Sequence, residues 1–253
     1  LWHSAQPCMA AVAEDAVVRL LAEKTHRRTL PTVYAVEDIR ESATIEAAAA
    51  ILNARPLPDS LHNYYDAIWS VATVTIGDSQ RLAAAFALLR ERPTGELMAS
   101  AFSEIGKSAT EWRDILRALR PLVRETEQGF ELVHNDLRVH LEARLAGDPD
   151  TRRDAASALA NHYRKKTSYR IAAHQSLLDL LVTAERDADF ADDFNVDWVI
   201  EAGALGIADE TLPRECSAAF RGAVARQDWL LLHGVACAAL TLNRQHECVN
   251  EWS

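Results

Sequence analysis

The stretch Gln128–Leu145, QGFELVHNDLRVHLEARL, contains two different hydrophobic periodicities, and the point where they meet decides how the fold is read. In its first part, Phe130 and Leu132 alternate with their neighbours after Gly129, which is typical of a short, half-buried strand that follows a tight turn. In its second part, leucines recur every fourth residue along one face, as in an amphipathic helix, and Asn135 can cap that helix. The sequence therefore predicts a strand that leads directly into a helix.

His134 lies at the predicted junction between this strand and this helix. The N-terminus of a helix presents free backbone N–H groups that attract anions, and an imidazole placed there can donate to a phosphate oxygen. His134 is therefore a candidate phosphate-binding residue. The alternative is that His134 is a structural residue that holds the corner, which is the more frequent role of a histidine at such a position.

Length and composition predict a mainly α-helical protein of one or two domains. The chain has 253 residues, of which 49% are hydrophobic, but it has only nine glycines and eight prolines. This balance favours helices over a β-sandwich or barrel. No apolar run approaches the ~20 residues of a membrane-spanning helix, so we expect no membrane partner. The four cysteines form no CxxC pair, as expected of reduced thiols, and we expect a cytoplasmic protein.

The middle of the chain follows the order helix, turn, helix and β-hairpin. The predicted helices and strands are, in order, Thr94–Ile105, Glu111–Pro121, Leu122–Glu125 and Phe130–Val133. This order is that of a winged helix, a variant of the helix-turn-helix architecture. We therefore predict a winged-helix domain with a small β-hairpin over residues 76–147, preceded by a helical domain over residues 1–75.

The last part of the chain reads as consecutive helices joined by short turns. The predicted helices are Thr151–Lys165, Ser168–Arg186, Val196–Leu205, Pro213–Arg226 and Asp228–Leu242. Antiparallel helix pairs of this kind are typical of a tetratricopeptide-like repeat or another α-solenoid. We predict a helical, repeat-like domain over residues 148–253.

A stripe of arginines accompanies the second helix of the predicted winged helix. It consists of Arg113, Arg117, Arg120 and Arg124. Basic residues on such a helix can contact DNA phosphates or base edges, or they can meet an acidic neighbouring domain. The formal net charge of -10 opposes binding to nucleic acid, because DNA affinity depends largely on neutralising phosphates with Lys and Arg. We therefore do not expect nucleic acid as a partner.

Two segments resemble ligand-binding loops but lack residues that those loops require. Gly106-Lys107-Ser108 ends like a Walker A loop, but Ala101 occupies the position of the first glycine. Residues 187–198, DADFADDFNVDW, resemble an acidic calcium loop without its turn glycine and terminal glutamate, so we expect a solvated loop that caps the next helix. No catalytic grouping is legible in the sequence.

Four residues near the C-terminal end are of types suitable for zinc, namely His233, Cys237, His246 and Cys248. Their spacing, H-x3-C and then H-x-C, is not that of a familiar zinc module. A helix through this region would explain Cys237 as a small core residue. We therefore expect no metal site.

Together, these parts resemble the C-terminal side of a STAND-class signalling ATPase of the NACHT or NB-ARC type. The resemblance covers roughly residues 40–200 and is carried by the segment LPDSLHNYYDAIW, the predicted winged helix, the FELVHNDLRVHL junction and the helices that follow. In that family, a P-loop domain is followed by helical and winged-helix domains and then by a repeat array that senses a ligand. Because the chain begins with Leu rather than Met, we expect it to be part of a longer protein.

The resemblance implies a regulatory role in which this chain is not an enzyme. The family often has a Met-His-Asp motif whose histidine contacts the β-phosphate of ADP, and the matching triplet here is Val133-His134-Asn135. ADP or ATP would be bound only in the full-length protein, and none by this chain alone, which lacks Walker A and Walker B. The implied partners are an upstream P-loop NTPase domain, a protein or peptide ligand on the C-terminal helices, and further copies on activation. The alternatives are a winged-helix DNA-binding regulator and a passive helical scaffold.

Overall fold

The computed structural model describes most of the chain, in residues 10–25, 32, 35–36, 39, 42, 44–54, 65–66, 69–70, 79–119, 122–165, 170–207 and 211–251. Within these ranges the protein is mainly helical, with 12 α-helices and a small two-stranded antiparallel sheet. The mainly α-helical class predicted from composition is therefore confirmed. Across the same ranges, no helix combines the length and the apolar character that a membrane span requires.

The helices and strands are joined by short connections from Ser79 onward. In chain order they are α1 (Ala10–Lys24), α2 (Ile45–Ala54), α3 (Ser79–Leu88), α4 (Gly95–Ala101), α5 (Ala109–Ala118), β1 (Val123–Thr126), β2 (Gly129–Leu132), α6 (Asn135–Ala146), α7 (Pro149–Lys165), α8 (Arg170–Thr183), α9 (Phe190–Asp193), α10 (Val196–Ala204), α11 (Thr211–Ala225) and α12 (Trp229–Glu251). Two single 3-10 turns, Ser103–Ile105 and Asp187–Asp189, lie between helices.

The chain divides into two compact units. The first comprises residues 1–79 and 114–140, and the second comprises residues 80–113 and 141–253. The domain boundaries predicted after residues 75 and 147, and the winged-helix and repeat-like character of the domains, stay predictions.

In the first unit, α1 packs against α2 around a small apolar core. Its buried members are Val17, Ala35, Ile39, Ala48 and Leu52. Two aromatic residues of the segment LPDSLHNYYDAIW are buried, namely Tyr65 and Trp69, which are 1% and 0% exposed. The Tyr65 ring packs beside His140, with 5.5 Å between ring centroids, and Nε2 of His140 lies 3.2 Å from Oδ1 of Asp66.

The sheet of the first unit is a tight hairpin. β1 and β2 pair from Val123 opposite Leu132 to Thr126 opposite Gly129, so only two residues form the turn. Gly129 has a backbone φ of 127°, a conformation that residues with a Cβ rarely adopt. The hydroxyl of Thr126 donates to the carbonyl of Gly129 at 2.8 Å. The hairpin predicted around this glycine is therefore present.

In the second unit, α4 and α5 begin with side-chain caps and approach closely. The Leu97 N–H donates to Oγ1 of Thr94 at 3.1 Å, which confirms Thr94 as the predicted cap. A Cβ added to Gly95 would lie 2.2 Å from the carbonyl oxygen of Ala109, so only glycine fits there. The Phe102 and Trp112 rings, both buried, lie 6.2 Å apart.

The remaining helices of the second unit pack mainly as neighbours. α7 packs against α8, while α12 packs against both α10 and α11. The prediction of a solvated loop over residues 187–198 is wrong, because this segment contains a 3-10 turn and α9. Phe190 and Phe194, spaced to lie on one helical face, are 0% and 1% exposed. Asn195 caps α10, as expected of this segment, by accepting from the Trp198 N–H at 3.0 Å.

Candidate functional site

The corner at His134 joins the hairpin to α6. The backbone N–H of Val133 donates to the carbonyl of Leu122 at 3.0 Å, which holds the end of β2 against the start of the hairpin. The carbonyl of His134 then accepts from the Leu137 N–H at 3.2 Å, the first turn of α6. His134 is thus the last residue before the helix, and its side chain is half-buried. The predicted strand-to-helix junction is present.

The residues that flank His134 differ in one respect from the prediction. Asn135 was expected to precede the helix as its cap, but α6 begins at Asn135 itself. Asn135 and Asp136 are both exposed, whereas Leu137 is buried and turns the first apolar position of the helix inward. The shift of one residue places His134, and not Asn135, at the capping position. His134 is therefore the residue that directly precedes the free backbone N–H groups of the first turn.

The arginine stripe is engaged in ion pairs with glutamates. Arg113 Nη2 lies 2.8 Å from Oε1 of Glu96. Arg117 makes a two-pronged contact with Glu125, with Nε to Oε2 and Nη2 to Oε1 both at 2.8 Å. This hydrogen-bonded carboxylate raises the pKa of the Arg117 guanidinium. A guanidinium group that makes two hydrogen bonds to one carboxylate already has an acidic partner.

The structure describes one of the other two arginines of the stripe. Arg124 pairs with Glu131, the residue directly opposite it across the two strands. Arg120 lies outside the described residues. The three described arginines thus each have a glutamate beside them, which offsets the positive charge that DNA phosphates would need. This arrangement weighs against the DNA-binding alternative.

A buried carboxyl group in the second unit is the residue that reasoning from sequence missed. Glu215 of α11 is 1% exposed, and it accepts a hydrogen bond from Nε1 of Trp198 at 2.9 Å. Burial raises its pKa to about 7, although the Trp198 hydrogen bond and the charge of Arg214 act in the opposite direction. The neighbouring charge of Asp179 raises it further. Glu215 can therefore change protonation near neutral pH.

The indole ring of Trp198, which donates to Glu215, also packs against a histidine ring. The His174 ring, 2% exposed, lies 3.8 Å from the Trp198 ring by centroid distance, and its Nε2 lies 3.8 Å from Oε2 of Glu201. The buried carboxyl of Glu215 and the buried imidazole of His174 thus both contact the indole of Trp198, and they form a polar cluster contributed by α8, α10 and α11. Such clusters stabilise only when their groups are hydrogen-bonded.

The acidic segment that resembles a calcium loop is paired with arginines. Nε of Arg164 lies 2.8 Å from Oδ2 of Asp193, and Nη1 of Arg226 lies 2.8 Å from Oδ2 of Asp192. Burial raises the pKa of Asp193, which the charge of Arg164 partly opposes. The carboxylates of Asp192 and Asp193 therefore have guanidinium partners, and these ion pairs connect α9 to α7 and to the end of α11.

Two of the four zinc-type residues form a pair on the surface of α12. Sγ of Cys237 lies 3.8 Å from Nδ1 of His233, one helical turn away. His233 is exposed and Cys237 is partly exposed, so the expectation that Cys237 belongs to the core is wrong. The side chains of His246 and Cys248 lie outside the described residues. In the described part of the chain, no three His, Cys, Asp or Glu side chains are grouped so that they could hold a metal ion.

No protein-family model, no curated protein and no solved structure matches this chain. The resemblance to STAND-class ATPases therefore rests on the quoted residues and on the order of the elements.

Proposed function

We propose that this chain is the regulatory and sensor portion of a STAND-class signalling ATPase. In this proposal, the elements from α4 to α6 form a winged helix, and α7 to α12 form a tetratricopeptide-like array that receives a protein or peptide ligand. The order helix, turn, helix, hairpin and helix over residues 95–146 supports it. The observation that carries the nucleotide role is the position of His134, half-buried and directly before the first residue of α6.

His134 acts in this proposal as a sensor of ADP that an upstream P-loop domain holds. An imidazole N–H at the start of a helix donates to a phosphate oxygen, and the free N–H groups of the first turn favour the same anion. Asp136 is exposed in the same turn, but its negative charge repels a phosphate. The contact with the phosphate is therefore made by the His134 ring. Catalysis is left to the P-loop domain, and this chain contributes only binding energy.

Regulation follows from the difference in nucleotide contact between two states. ADP favours the state in which His134 reaches the nucleotide, whereas a ligand on the C-terminal helices favours the state in which it does not. Couplings of this kind are typically about 1–3 kcal/mol, which corresponds to a roughly 5- to 150-fold change in affinity. Each of the two ligands then weakens the binding of the other by the same factor.

We place the protein in the cytoplasm. Cys216 and Cys237 are free thiols, as is usual in a reducing compartment.

The proposal is tested by the nucleotide content of the full-length protein purified without added nucleotide. We expect ADP to co-purify with the wild type and to fall sharply in His134→Ala. His134→Gln, which keeps an N–H donor, should retain part of it. Gln175→Ala removes an exposed polar side chain of α8 and serves as the matched control. Equal ADP content in His134→Ala and the control would contradict the proposal.

A further inference from the structure

The last helix presents a narrow apolar face that the described part of the chain leaves exposed. Leu230 is 82% exposed and Leu240 is 65% exposed, while His233 and Cys237 lie between them. These four residues are spaced by three, four and three positions, which places them along one side of a helix. Val235 at the centre is 0% exposed and faces the opposite way, into the chain's own core. The face is therefore directed away from the rest of the fold.

The two polar residues of this face have the separation of zinc ligands. Zinc binds a thiolate sulfur at about 2.3 Å and an imidazole nitrogen at about 2.0–2.1 Å, and tetrahedral angles then put the two donors about 3.6 Å apart. Sγ of Cys237 and Nδ1 of His233 are 3.8 Å apart. The pair thus has nearly the separation of bound ligands, but a stable zinc site needs four ligands, and the described side chains of this chain supply only two there.

The face has a symmetry that supplies the other two ligands. Leu230 and Leu240 are equally distant from Val235 in sequence, and so are His233 and Cys237. Two such helices can pair antiparallel about a two-fold axis that crosses the exposed face at the level of Val235 along the helix. Each Leu230 then meets the second copy's Leu240. Each His233 likewise meets the second copy's Cys237. Two donors from each chain then converge on the axis.

We propose that α12 pairs with α12 of a second copy of this chain around a divalent cation of the zinc class, held by His233 and Cys237 of both copies. The resulting Cys2His2 set is tetrahedral and matches a known structural zinc coordination. Each of the two thiols gives up its proton to solvent when its sulfur binds the cation. This inference is independent of the nucleotide role of His134.

The apolar residues alone are too few to hold two copies together. Stable protein interfaces bury roughly 1,200–2,000 Å² in total, and a face of two leucines per chain falls well below that. The cation therefore decides whether the pair forms.

The experiment measures the molar mass of the purified chain, without an affinity tag, in the presence of Zn²⁺ and then of excess chelator. We expect a monomer of 28.0 kDa in chelator and twice that mass with the metal. Co²⁺ in place of Zn²⁺ should give thiolate-to-cobalt absorption and intense tetrahedral bands at one ion for each pair of chains. Both signals should be lost in Cys237→Ser, and the doubled mass should be lost in His233→Ala.

Matched variants separate this site from other donors. Cys216→Ser removes the other described free thiol, and the double variant His246→Ala, Cys248→Ser removes donors about 13 Å or more further along the helix, by its rise per residue. Both should behave as wild type. Leu230→Ala with Leu240→Ala should weaken pairing, and circular dichroism should show unchanged helix content in every variant. The proposal is overturned by a chain that stays monomeric with Zn²⁺, by metal bound at one ion per chain, or by a pair that chelator leaves intact and reductant dissolves. Loss of metal in the double variant alone also overturns it.

Discussion

Trp198 donates its indole N–H to the carboxyl group of Glu215 across 2.9 Å, inside a region where Glu215 is 1% exposed. The two residues belong to α10 and α11, so this hydrogen bond links two helices through a group that is costly to bury when charged. Protonation removes that cost. The titration of this carboxyl group should therefore make part of the stability of the second unit depend on pH.

Glu215→Gln should remove this pH dependence. Burial raises the pKa of Glu215 from 4.5 in the unfolded chain to about 7 in the fold, so the folded state binds the proton more tightly. The stabilisation is complete below pH 4.5 and is lost as pH rises toward 7. Between pH 5 and pH 8, the free energy of unfolding measured in urea should fall by about 2–3 kcal/mol more in the wild type than in Glu215→Gln. Parallel pH profiles for the two proteins would show that Glu215 does not titrate as described.

Trp198→Phe should destabilise the fold by leaving the buried carboxyl without its donor. The expected loss in the free energy of unfolding is about 1–3 kcal/mol. The pKa of Glu215 should rise further, because the indole hydrogen bond lowers it. Trp229→Phe is the matched control, since Trp229 is 79% exposed, and it should change stability by less than about 0.5 kcal/mol. Similar losses in both variants would contradict a special role for Trp198.

Gly95→Ala should destabilise the contact between α4 and α5. The new Cβ would lie 2.2 Å from the backbone oxygen of Ala109, which cannot move like the end of a side chain. Overpacking of this kind typically costs about 1–3 kcal/mol. Gly234→Ala, in the interior of α12 with no atom within 4 Å of the added Cβ, should stabilise by up to about 1 kcal/mol. Thermal unfolding of both variants checks the opposite signs, and a neutral Gly95→Ala would contradict the close approach.

Ser108→Ala should weaken the start of α5. The Glu111 N–H donates to the Ser108 hydroxyl at 3.3 Å, and the Ser108 N–H donates back to the Glu111 carboxylate at 2.7 Å, which is a capping box. Loss of the serine should cost about 1 kcal/mol in the free energy of unfolding. Ser103→Ala, at an exposed position of the preceding 3-10 turn, should leave the unfolding midpoint unchanged. An unchanged midpoint for Ser108→Ala as well would argue that this cap is unimportant.

Periodicity predicted the helices and the hairpin because burial on one face is a local property of the sequence. The turn at Gly129 and the cap at Thr94 were predictable for the same reason, since each depends on residues within four positions. The start of α5 was placed two residues late because the capping box begins at Ser108 and not at Glu111. Helix α9 was missed because its acidic residues obscured Phe190 and Phe194, which are four positions apart.

The candidate sites depended on contacts that local patterns do not contain. The arginine stripe was visible, but Arg113 meets Glu96, 17 positions earlier, and Arg124 meets Glu131 only because of the strand register. The signal for Glu215 was its position on the apolar face of α11, three residues after the buried Leu212 and three before the buried Ala218. Its partner Trp198 lies 17 positions away on another helix, so only the tertiary fold, in which α10 and α11 both pack against α12, brings the two together.

The rate at which ADP leaves the full-length protein tests the central claim most directly. A fluorescent ADP analogue is bound and then displaced by excess ADP, and its release is followed by stopped flow in the wild type, His134→Ala and the control Gln175→Ala. Removal of a hydrogen bond to a charged group costs about 1.5–3 kcal/mol, so release from His134→Ala should be roughly 10- to 100-fold faster, with the control unchanged. Equal release rates from all three proteins would contradict a nucleotide-sensing role for His134.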